Sequence, residues 1–97
     1  VYLEADGWIR FEEVINKIYK NYTQRLKDDF SFLTEVDIQL CILLKLQFNN
    51  TQIASITAVS ISSVSLQKSR LKRRLLQTDP HLFDDNNRTL DSFLLEY

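Results

Sequence analysis

Glycine and proline occur once each in this chain of 97 residues, at Gly7 and Pro80. Antiparallel sheets turn their strands with glycine's positive φ and proline's preset φ, so a chain this poor in both is not built from hairpins. Helices joined by short connections satisfy the constraint. The expectation is an all-α, compact domain of about five helices around one modest core. Apolar content of 44% and charged content of 26% agree with an ordinary globular domain.

The apolar spacing locates the helices. Trp8, Phe11, Ile15, Ile18, Tyr22 and Leu26 recur at steps of three and four, which predicts one amphipathic helix from Asp6, its cap, to about Lys27. Thr34 opens the next, with Asp37 three residues on as a capping box. Val36, Ile38, Leu40, Cys41, Leu43, Leu44 and Leu46 leave that helix little polar face, so it is expected at the centre. The turn QFNN leads to a short helix over about 51–57, with Ile53, Ala54 and Ile56 inward. After AVS, Ser60 caps a helix over 61–77 whose Val64, Leu71 and Leu75 share one face, and Asp79-Pro80 stops it. A last helix is expected from about Arg88, capped by Asn87, with Leu90, Phe93 and Leu94 as its apolar stripe.

Several functions find no support. Cys41 is the only cysteine and lies in an apolar run, so neither a disulfide framework nor a zinc set can form, and inert packing is its expected role. His81 has no legible nucleophile or orienting partner, one glycine cannot build a phosphate loop, and Asp28-Asp29 and Asp84-Asp85 lack calcium-loop spacing. The expectation is therefore no enzyme, no metal and no cofactor. No apolar run is long enough to span a bilayer and no signal peptide is legible, so a cytoplasmic setting is expected. The chain has no methionine, even at position 1, and is read as a piece of a longer protein.

Charge is unevenly placed. The formal total is −1, yet residues 38–78 hold six Lys or Arg and no carboxylate, against −3 before them and −4 after. Five of the six, Lys68, Arg70, Lys72, Arg73 and Arg74, fall within seven residues. They repel one another on a helix, and the helix C-terminus relieves part of that cost. A solvated helix end is one reading; a polyanionic partner is the other. With Val64, Leu71 and Leu75 inward, Ser62, Leu66, Ser69 and Arg73 point outward, with Ser65 and Arg70 at the margins. Slim residues let a helix enter a major groove about 12 Å wide. Cations further along suit its flanking phosphates.

The stretch LTEVDIQLCILLKLQFNNTQIASITAVSISSVSLQKSRLKRRL, residues 33–75, resembles the helix-turn-helix domain of the LuxR/GerE class of transcription regulators. It looks closest to the variety at the C-terminus of sensor proteins with tetratricopeptide repeats. Its marks are Leu33-Thr34, Ile53-Ala54, Val59-Ser60, Ser63-Val64 and the run Arg70 to Leu75. The resemblance implies base reading by Ser62, Ser63, Ser65, Leu66 and Ser69. It implies phosphate contacts by Asn50, Thr51, Gln52, Lys68, Arg70, Arg73 and Arg74. It also implies a dimer contact through the helix after the reading helix, here Leu90, Phe93 and Leu94; the alternative is that this stripe closes the chain's own core. Residues 33–78 would be the DNA-binding core, 79–97 a loop and helix, and 1–32 a helix that extends the core or pairs with a second copy. Double-stranded DNA, a second copy and RNA polymerase are the implied partners.

The chain departs from the family's pattern. Gln47 stands where a turn glycine is usual, so Asn49 or Asn50 is expected to take the left-handed backbone. Gln52 replaces a glutamate. Thr57 replaces a core leucine, which predicts altered packing. Ser65 and Gln67 replace Lys and His, which changes the base preference expected. Two other functions stay open: a helical protein-interaction module, and the promoter-reading helix-turn-helix of a sigma-like factor.

Overall fold

Thr34 opens the helix around which the rest of the chain packs. The structure, a computed structural model, describes residues 4–83 and 89–97, and the described residues form six helices and no strand. In chain order these are α1 (Ala5–Ile18), α2 (Tyr22–Asp29), α3 (Glu35–Lys45), α4 (Asn50–Thr57), α5 (Ile61–Thr78) and α6 (Leu90–Glu96). The capping box at α3 is present: Asp37 N–H donates to Thr34 Oγ1 at 3.2 Å, and Thr34 N–H donates to the Asp37 carboxylate at 3.0 Å. Seven consecutive-turn residues of α3 are buried, including Ile38 and Leu40 to Leu44, and α1, α2, α5 and α6 lie against it.

The expected single first helix is two. Lys20 and Asn21 adopt left-handed backbone, with φ of 45° and 57°, and the chain turns there. Asn16 makes the turn cohere. Its Oδ1 accepts Thr23 N–H at 2.9 Å, and its Nδ2 donates to Thr23 Oγ1 at 2.9 Å, so a side chain of α1 caps the start of α2. Arg25 reaches back to the free carbonyls of Tyr19 and Lys20 and on to the Tyr97 carbonyl. Trp8, Ile15, Tyr22 and Leu26 still face the core, which is why the spacing mimicked one helix. Ile18 does not; it is 62% exposed, with Ile9 and Val14 also outside. The start also differs: Glu4 holds the N-cap position with no side-chain bond, and Asp6 sits in the first turn.

Gln47 itself supplies the left-handed residue after α3, with φ 66°, where Asn49 or Asn50 was expected to. The Phe48 amide returns to Leu43 O and the Gln47 amide to Leu44 O, both at 3.0 Å, which is the Schellman closure of a helix end. Asn49 is the N-cap of α4, and Gln52 completes a capping box in which each side chain accepts the other's amide at 2.9 Å. Ala58, at φ 57°, makes the turn to α5, which Ser60 caps by accepting Ser63 N–H at 3.1 Å. Thr57 turns its hydroxyl back to the Ile53 carbonyl at 2.7 Å. A cavity of about 160 Å³ lies beside it, lined also by Val36, Leu40 and Val59.

Thr89 caps α6; the expected cap Asn87 and start Arg88 lie outside the described residues. Leu90, Phe93 and Leu94 are all buried within the chain, and α6 packs on α3. The stripe named as a dimer contact is thus spent on the domain's own core. Phe93 meets the rings of Phe30, Phe83 and Tyr97 at 5.4 to 6.1 Å between centroids. Tyr97 in turn shares its one hydroxyl proton between Arg25 O, at 3.0 Å, and the Asp29 carboxylate, so α2 and residue 97 are tied together. One core joins residues from 8 to 94, across all three segments proposed from the sequence. Cys41 lies inside it, and burial, then the nearby Asp37 carboxylate, pushes its thiol up to about 12.

Candidate nucleic-acid interface

Val64, Leu71 and Leu75 are buried as the seven- and four-residue spacing requires, and they fix the rotation of α5. Opposite them Ser62, Leu66, Ser69 and Arg73 face solvent, with Ser65 and Arg70 exposed at the two edges. Leu66 is 50% exposed, a large aliphatic side chain left on the outer face. α4 lies close to α5, joined to it by the three residues Ala58, Val59 and Ser60. Ser63 is half-buried at a margin, and its hydroxyl accepts from Ser60 at 2.9 Å, so it belongs to the cap more than to the strip.

The five cations do not share one fate. Arg74 Nη2 lies 2.5 Å from Asp37 Oδ1, and Asp37 is almost wholly buried, its side chain 6% exposed. The ordinary reason for such a pair is that a buried carboxylate needs a counter-charge. Arg74, for which the resemblance implies a phosphate contact, is thus engaged within the chain by Asp37. Lys68 is likewise engaged: its ammonium lies 3.0 Å from Asp91 Oδ1 and donates to Asn50 Oδ1 at 3.2 Å. Lys72 sits 5.2 Å from the centre of the Phe83 ring. Among the described residues no carboxylate pairs with Arg70 or Arg73.

At the start of α4 the side chain of Asn50 turns toward α5 and donates to Ser65 Oγ at 3.4 Å. The Gln52 amide is taken by Asn49, and the Gln52 carbonyl caps in return. That leaves the Asn50 and Thr51 amides, in the first turn, as the groups that suit an anion there. Thr51 is exposed. A groove of about 470 Å³ runs between the start of α3 and α5, lined by Thr34, Val36, Gln67, Arg70, Arg73 and the Asp37–Arg74 pair. It continues the cationic edge of the strip.

Asp37, Asp91 and Phe83 are the site-shaping residues that spacing did not reveal. Asp37 and Asp91 stand 37 and 23 residues from the cations they hold, far beyond the reach of a helical repeat. The surplus of cations over seven residues was the one signal that some needed partners. Comparison of the chain with protein-family models, with curated proteins and with solved structures finds no match. Among the described residues no helix is long and apolar enough to cross a membrane.

Proposed function

We propose that this chain binds double-stranded DNA in a sequence-dependent manner, as a LuxR/GerE-like effector domain of a bacterial transcription regulator. α5 enters the major groove by its first three turns. The observation that carries this reading is the outward face from Ser62 to Arg73. It is slim, free of carboxylates, bears Arg70 and Arg73 without a described counter-ion, and is braced from behind by three aliphatic side chains. Leu66 would meet a thymine methyl, and Ser62, Ser65 and Ser69 would meet polar base edges. Arg70 and Arg73 would hold phosphates on one side of the groove, with the Asn50 and Thr51 amides on the other.

The test is selection of bound sequences from randomised duplex at two salt concentrations. Enrichment of a motif, lost in Arg73→Glu, is the expected result. Two half-sites about 10 bp apart would show that two copies bind together. A folded chain that binds no duplex even at low salt would favour the second reading, a helical protein-interaction module. That reading draws its support from Ile9, Val14 and Ile18, which α1 leaves exposed.

A further inference from the structure

α6 packs on α3 through Leu90, Phe93 and Leu94, and these buried side chains fix its rotation. Asp91, next to Leu90, is left at the flank of the helix, its side chain 57% exposed, and it meets α5 there. Its Oδ1 lies 3.0 Å and its Oδ2 3.3 Å from Lys68 Nζ. The ammonium also donates to Asn50 Oδ1 at 3.2 Å, so it has acceptors from two other helices. Among the described residues Asp91 is the one carboxylate paired with Lys68.

The pair stands at the edge of the outward strip. Asn50 bonds both Lys68 and Ser65, so the ammonium lies one amide group behind the Ser65 edge. Asp91 and Asn49, the N-cap of α4, line one groove of about 460 Å³, which places the carboxylate beside the helix start that suits an anion. A carboxylate and a phosphate both accept charge-assisted hydrogen bonds from an ammonium. Lysine carries its charge on a flexible four-carbon stem and can exchange one such anion for another. The Asp37–Arg74 pair differs in this respect, because the Asp37 side chain is only 6% exposed and cannot be left without its counter-charge.

Resting on the DNA-binding reading, we infer that Asp91 restrains DNA affinity by holding Lys68 away from the phosphates at the α4 edge. Lys68 is a latent phosphate ligand, and Asp91 is the positioning residue that keeps it latent. Grip on the duplex is thereby set in part from α6, outside the pair of helices that meets the groove. The restraint is mild. An ion pair with one partner more than half exposed changes an equilibrium by about fivefold at most. It tunes binding without abolishing it.

The experiment measures duplex binding by fluorescence anisotropy between about 50 and about 200 mM salt, for the wild type, Asp91→Asn, Lys68→Gln and the double variant. Asparagine matches aspartate in shape, and Thr89 still caps α6, so the fold is kept; a melting curve checks this. Asp91→Ser supplies the same readings from an independent replacement. Asp91→Asn should bind about two- to fivefold more tightly at the lower salt. Its salt slope should steepen by about 0.9, one phosphate contact, so that it weakens roughly 40-fold across the range against roughly 12-fold for the wild type. In the Lys68→Gln background the same change should leave the slope where it was. The inference is overturned if Asp91→Asn leaves the slope unchanged, whatever its affinity. It is overturned equally if the slope steepens as much without Lys68, since Asp91 would then act on the duplex by its charge alone. Both results leave DNA binding by the wild type standing. Failure of the wild type and of Asp91→Asn to bind any duplex at low salt would remove both readings.

Discussion

Salt dependence should distinguish Arg70 and Arg73, which have no carboxylate partner among the described residues, from the full set of five cations. Each phosphate neutralised on a duplex releases counterions, and log K falls with log salt by about 0.9 per contact. Arg74 is held by Asp37, Lys68 by Asp91, and Lys72 lies against Phe83, so Arg70 and Arg73 are left. The expected slope is about −1.8 per protomer, against about −4.5 if all five cations gripped phosphates. Raising salt from about 50 to about 200 mM then weakens binding roughly 12-fold, compared with roughly 500-fold for five contacts. Fluorescence anisotropy of a labelled duplex across that range gives the slope directly. Arg73→Gln should reduce it by about 0.9, while Arg74→Gln should leave it unchanged. Arg74→Gln should instead destabilise the fold by about 2 kcal/mol, since it strands a buried carboxylate; a fully buried pair would cost more. Arg74 is 37% exposed, and water can partly replace it. A slope near −4.5, or an Arg74→Gln slope as shallow as that of Arg73→Gln, would refute the partition.

Three further outcomes follow from the fold. Phe93→Ala should cost about 3–5 kcal/mol in chemical denaturation, because the ring is buried among Phe30, Phe83 and Tyr97; a stable variant that merely lost self-association would contradict the core assignment. Gln47→Gly should raise stability by up to about 1 kcal/mol, since a non-glycine residue holds a left-handed φ of 66° there; a lower melting temperature would count against that account. Cys41 should resist alkylation at pH 8 in the native state, because its folded thiol keeps the proton until about pH 12. The unfolded chain releases that proton near 9, so this group removes stability as pH rises above that value; native-state labelling faster than global unfolding would disprove it.

Local signals are legible where the chemistry acts within one or two turns. The Thr34–Asp37 box, the Ser60 cap and the Val64, Leu71 and Leu75 face each involve residues three, four or seven apart on one element. The break after α1 is hidden for the same reason. The apolar repeat runs on through Ile18 to Tyr22, and periodicity cannot distinguish a continuous helix from two that both face the core. Lys20-Asn21 held the only cue, since asparagine tolerates left-handed backbone. At Gln47 the expectation followed residue preference, and the helix-end hydrogen bonds of Phe48 and Gln47 overrode it.

The amino-acid order alone determined that this chain is helical, that Thr34 and Ser60 cap α3 and α5, and which side of α5 turns outward, because caps and apolar spacing act over a few residues. The tertiary structure decided which charges remain available. Coulombic pairing depends on distance in space, and folding brings Asp37 and Asp91 beside cations 37 and 23 residues away. It decided the fate of α6 as well. A sticky stripe has the same pattern whether it meets its own core or another molecule, and only the packing against α3 distinguishes them.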